Sequence, residues 1–240
     1  MSSARLWFIA SLCLAAPGAH ALVAGDIAFS AFNTDEDGWA IVALTDLSAD
    51  SIIRFTDSNW DGSGFTSAEG FHTWTTGAEV IAAGTVIRFS RIDSAARAAS
   101  IGSLVTTGNA ALSSSGDTLL AYVGDSASAP STFVGGVSSE SAGAASAVFT
   151  AAGLQPGVNA LALPSGTDYA AFNGARSGAR AVADYATALN NASNWTVFTD
   201  GNHADAVPDT TAFSVSAIPE TPVVWMMLAG LGMLGLRRRP

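Results

Sequence analysis

What most restricts the fold of this chain is a succession of short segments in which apolar and polar residues alternate, each closed by Gly, Asn, Asp or Ser. Ile27-Ala28-Phe29-Ser30 and Val86-Ile87-Arg88-Phe89 are examples. A period of two places one set of side chains on one face of an extended segment, as in a half-buried strand. The pattern predicts strands over 26–33, 39–45, 51–56, 72–75, 85–91, 118–123, 133–137, 159–163, 169–172, 195–198 and 212–215. Short strands with frequent turns predict an all-β fold, an antiparallel β-sandwich. At most one short helix is expected, over 179–190, where Val182, Tyr185 and Leu189 recur at helical spacing. The Ser-, Ala- and Gly-rich stretch 138–154 reads as a long loop or poorly ordered insertion, and 204–218 as a strand followed by a tether.

Both ends differ in composition from this body. Arg5 precedes an apolar run over 6–16, then Pro17-Gly18 and the small residues of Ala19-His20-Ala21. These are the parts of a secretory signal peptide, with cleavage expected after Ala21. The expected organisation is a signal peptide over 1–21, a body over 22–216 and a tail over 217–240. Cys13 is the only cysteine and leaves with the leader, so the mature body has no disulfide and no thiolate metal site.

Residues 22–218 hold nineteen acids against six arginines, a formal charge of −13, and no lysine. Such a surface repels phosphate backbones, which argues against nucleic acid as a partner. It attracts divalent cations and resists self-association.

The tail begins with Pro219, Glu220 and Pro222, continues in an apolar run over 223–236, and closes with Arg237, Arg238 and Arg239. Fourteen residues of helix span ~21 Å, short against a hydrocarbon core of about 30 Å. Snorkelling arginines and local thinning can cover the difference, and the positive end stays cytoplasmic. A transmembrane helix with the body facing outward is expected. The order Pro-Glu, apolar helix, arginine cluster resembles the PEP-CTERM sorting signal of Gram-negative bacteria. The resemblance implies an exosortase-type enzyme as partner, transient anchoring in the inner membrane and a final place at the cell surface or outside it. Thr221 stands where that family usually has proline.

A second resemblance covers roughly residues 25–125. GDIAFSAFN, WAIVALTDLSADSIIRFTDSNW, FTSAEGFHTWTT, AAGTVIRFS and LSSSGDTLLAYVGD follow one another in the order of a lamin-tail-type domain of bacterial surface proteins. That family implies an immunoglobulin-like sandwich with a structural or binding role. Extracellular polysaccharide is the partner such a role suggests.

Two loops carry the residues with most chemical promise. Asp35 and Asp37 precede Gly38, and Asp57, Asn59 and Asp61 precede Gly62. Acids at alternate positions before a turn glycine can supply several of the six to eight oxygens that calcium needs. From Asp57 the twelfth place is Ala68, with Glu69 one residue late, so neither loop is an EF-hand. Ordinary solvated turns use the same residues. No HExxH, GxSxG or P-loop pattern occurs, and no catalytic residue is assigned. His72 reads as a strand residue and His203 as part of a polar turn. Trp39, Trp60, Trp74 and Trp195 read as core, with sugar stacking as the other use for any that is exposed. The expected role is non-catalytic, in a cell envelope or extracellular matrix. The same sequence also fits a calcium-dependent adhesin, a polysaccharide-binding module, or a secreted hydrolase whose two carboxylates would share a cleft.

Overall fold

The computed structural model describes residues 21–67 and 69–216. The leader before Ala21 lies outside them, as does the tail with Pro219, Glu220, Pro222 and the three terminal arginines. Among the described residues no helix is long and apolar enough to cross a membrane.

The chain is mostly β. Its strands are β1 (Ile27–Asn33), β2 (Gly38–Ala43), β3 (Ile52–Thr56), β4 (Phe71–Thr75), β5 (Val86–Ser90) and β6 (Ala98–Ala99). There follow β7 (Ser103–Thr107), β8 (Thr118–Ser126), β9 (Ala129–Ser138), β10 (Ala160–Ala162), β11 (Tyr169–Phe172) and β12 (Trp195–Phe198). One sheet has the order β12-β11-β1-β2-β5-β6 and the other β10-β9-β8-β3-β4-β7. Neighbours are antiparallel except β10, which runs parallel to β9, so the second sheet is mixed rather than purely antiparallel. In β1 the register shifts between Phe29 and Ala31, which makes Ser30 the extra residue of a bulge.

Aromatic rings from both sheets meet in one core. Phe55 of β3 lies 5.2 Å from Trp39 of β2, 5.0 Å from Phe89 of β5 and 6.4 Å from Phe29 of β1, centroid to centroid. Trp74 of β4 packs edge-on to Phe89 at 5.3 Å. Trp39, Trp74 and Trp195 are buried, so the core use of these tryptophans holds. His72 is also fully buried, edge-on to Trp39 at 5.1 Å. Burial holds its pKa down at about 4, with Arg97 adding to the effect.

The loop expected over 138–154 is corrected to a helix, α1 (Ala142–Ala151). Alanine has the highest helix propensity, and Ser141 caps the first turn by accepting the Ala144 N–H. The far end is a Schellman motif: Gly153, at φ 69°, donates to Thr150, and Leu154 donates back to Phe149. Phe149, Ala145 and Leu154 join Leu120, Tyr122 and Phe133 in a second, smaller apolar cluster, and Trp60 and Phe65 pack against it. Composition suggested a loop because only a few apolar anchors are present. Those anchors suffice because β8 and β9 supply the surface they bury against.

The helix expected over 179–190 is broken: a 3₁₀ turn, Val182–Tyr185, runs into α2 (Ala186–Leu189). With α1, this makes more than the single short helix expected. The strand expected over 212–215 is an isolated bridge from Val215 to Ala179. Its stretch is instead clamped in place, with Phe213 buried against Phe172 of β11 and Tyr185. Arg176 sits 4.7 Å over the Phe213 ring, pairs with Asp209 at 3.0 Å and donates to the carbonyls of Asp209 and Thr211. Tyr185 adds an O–H bond to the Ser214 carbonyl. Gly84, at φ 90°, also lies so close to this segment that a β-carbon there would sit 2.2 Å from the Phe213 carbonyl oxygen.

Candidate functional site

The five residues expected to hold calcium do not share one place. Asp35 accepts the His203 N–H at 2.7 Å, which ties the β1–β2 turn to the C-terminal segment. Asp37, at φ 53°, accepts the Leu112 N–H at 2.6 Å. Asp57 accepts the Gly70 N–H at 2.7 Å. Asp61 closes its own turn through the N–H groups of Ser63 and Gly64 and the Ser63 hydroxyl. Asn59 takes part through its backbone, donating to Ser67 Oγ and accepting from Thr66. Among the described residues, no group of three or more His, Cys, Asp or Glu is arranged to hold a metal ion.

The carboxylates nonetheless gather by charge at two points. Asp37 lies close to Asp93 and Asp35; burial first, then these neighbours, push it up to about 6 despite the Leu112 bond. Asp57 is 2 % exposed, and burial followed by the charge of Asp117 raises it to about 7. Asp117 is raised to about 6 by burial, with Glu69 and Glu140 adding repulsion and the Ser113 and Thr118 N–H groups opposing it. Two carboxylates with raised pKa, the charge of one acting on the other, meet one requirement of the hydrolase reading. Asp57 is buried with one oxygen on a backbone amide, while Asp117 is half-buried.

A different place, missed by sequence reasoning, is open. A groove of about 270 Å³ on the outer side of the first sheet is lined by Glu36, Arg88, Ser90, Arg91, Ala204 and Asp205, among others. Glu36 and Arg88 form an ion pair through Glu36 Oε1. The Glu36 side chain is 6 % exposed, and its other oxygen, Oε2, has no donor among the described residues. Arg91 is exposed, has φ 51°, and its guanidinium has no partner among the described residues. The Ile92 N–H donates to the Asp37 carbonyl, so two left-handed non-glycine residues, Asp37 and Arg91, sit side by side at this rim.

Beside the groove three rings meet, Tyr169 stacking on both Phe198 and His203. Tyr169 and Phe198 are cross-strand partners on β11 and β12, with centroids 6.0 Å apart and planes at 18°. His203 lies 5.6 Å from Tyr169 and 4.7 Å from Phe198, and Phe198 is 41 % exposed. Tyr169 also lines a small recess with Glu36 and Arg88, and Ala204 and Asp205 of the groove lining follow His203 in the chain. The sequence signal available was weak: isolated Glu, Arg and Asp residues, with no motif joining positions 36, 88, 91 and 205. Comparison with protein families, curated proteins and solved structures finds no match to this chain.

Proposed function

We propose that this chain is an exported component of a cell envelope or extracellular matrix, delivered by its tail to an exosortase-type enzyme after transient anchoring in the inner membrane. In this reading the body is an immunoglobulin-like, lamin-tail-type sandwich with a structural or binding role and no catalysis. The observation that carries it is the use made of the loop carboxylates. Asp35, Asp37, Asp57 and Asp61 each hold backbone amides, which closes loops at the sheet ends and stiffens the body. The leader and the Pro-Glu, apolar, arginine tail support the route. Intact mass and terminal peptide sequencing of the chain recovered from its host test it. A new N-terminus at Leu22 and loss of residues after the Pro219-Glu220 region are the expected results. A chain with both ends uncut in the cytosol would refute the route.

The same reading needs no calcium, because one oxygen of each loop aspartate already holds backbone amides of the protein. Thermal unfolding in a chelator and in millimolar calcium should give the same midpoint within about 1 °C. A calcium-dependent rise of several degrees would return the metal to the loops and favour the adhesin reading.

A further inference from the structure

The groove at Glu36 and Arg88 has features that loop closure does not explain. Glu36 lines the groove and is almost fully buried, yet its Oε2 has no donor among the described residues. Arg91 holds a backbone conformation that long side chains rarely adopt, and its guanidinium is unpaired among the described residues. Such strained positions cluster at binding sites. The third feature is the ring stack of Tyr169, His203 and Phe198 next to the groove, with Phe198 exposed.

The chemistry narrows the ligand. Two carboxylates, Glu36 and Asp205, face two guanidinium groups, Arg88 and Arg91, so the groove is formally neutral. A phosphate or carboxylate would meet Glu36 and Asp205 as well as the arginines. At longer range it would meet a body of charge −13. A neutral polyol suits the same groups without that penalty. Adjacent hydroxyls can donate to a carboxylate and accept from a guanidinium in charge-assisted bonds. The apolar face of a sugar ring packs on an exposed aromatic ring. The groove is of a size for one or two sugar units, near the lower end of ligand pockets.

We propose that this groove binds a neutral sugar unit of an extracellular glycan. Glu36 Oε2 and Asp205 accept from its hydroxyls, Arg91 donates to it, the Glu36–Arg88 pair holds Glu36 in place, and Phe198 receives the ring face of a neighbouring unit. The proposal rests on the exported reading only for where the glycan is met, not for the binding itself.

Saturation-transfer NMR on the full chain tests it, in a detergent without a sugar headgroup. The probes are cellotriose, maltotriose and chitotriose, with inorganic phosphate and glucuronate as competitors. At least one trisaccharide should bind with a dissociation constant of about 1 mM or tighter, and the competitors should not displace it. Arg91→Gly, which suits the left-handed backbone, and Asp205→Asn should each weaken binding about tenfold at an unchanged melting midpoint. Phe198→Ala should reduce saturation of the ring protons. No saturation from any trisaccharide, or binding indifferent to all three variants, would overturn the site. Displacement by phosphate or glucuronate would overturn the neutral class and make this an anion site. None of these outcomes depends on how the chain ends are processed, so the sorting reading stands or fails separately.

Discussion

The thermal unfolding midpoint should be several degrees higher at pH 5 than at pH 8. The cause is three carboxyl groups held well above their ordinary value of 3.8: Asp57 at about 7, and Asp37 and Asp117 at about 6. A carboxyl raised on folding binds its proton more tightly in the native state. Between its unfolded and folded values, stability therefore falls as pH rises. His72 works the other way. Its value drops from 6.5 to about 4 on folding, so the unfolded chain takes up the proton first and stability falls as pH drops below 6.5. From pH 8 to pH 5 the three carboxyls contribute about 5 kcal/mol and His72 removes about 2, leaving about 3 kcal/mol in favour of acid. For a body of this size that is a midpoint shift of roughly 6–12 °C. Asp57→Asn keeps an acceptor for the Gly70 N–H and removes the charge. It should raise the midpoint at pH 8 and flatten the slope between pH 5 and 8. A profile highest at pH 8 would mean that these carboxyls are not buried as described.

Phe55→Ala should be among the most damaging single changes, at about 3–5 kcal/mol, and should leave the chain barely folded at ambient temperature. Phe55 is fully buried, and its ring touches Trp39 and Phe89 from one neighbouring sheet element each, with Phe29 edge-on. Both sheets therefore lose contacts at once, and the cavity opens between layers that strand pairing prevents from collapsing. Phe55→Leu keeps most of the volume and should cost under about 2 kcal/mol. Val105→Ala, 61 % exposed on the outer face of β7, is the control and should stay within about 0.5 kcal/mol of the parent. Chemical denaturation with a constant slope across the three variants checks the series. Equal losses at positions 55 and 105 would contradict a core between the sheets.

The local part of the fold was readable in the order of residues. Alternation and turn chemistry act over a few positions, so β1 to β5 and β8 to β12 fall where strands were expected. β7, Ser103–Thr107, was missed although it alternates, because a Thr- and Ser-rich strand at a sheet edge buries little and carries a weak apolar signal. Helix α1 was missed for a related reason. Its stability comes from a tertiary surface on β8 and β9 rather than from its own amphipathic pattern.

The candidate site lay beyond the sequence. Positions 36, 88, 91 and 205 meet because β1–β2 and β2–β5 pairing brings the first three together, while Arg176 and Phe213 clamp the C-terminal segment over them. Likewise the acids at 57 and 117 come within reach of each other's charge only because β3 pairs with β8 across 60 residues of chain. Sequence alone determined what depends on neighbours in the chain: strand period, turn positions, the cysteine-free and lysine-free body and its negative charge. Tertiary structure decided which carboxylates are buried, where the Glu36–Arg88 pair forms and which rings meet, because those properties follow from strand order and layer packing between residues far apart in sequence.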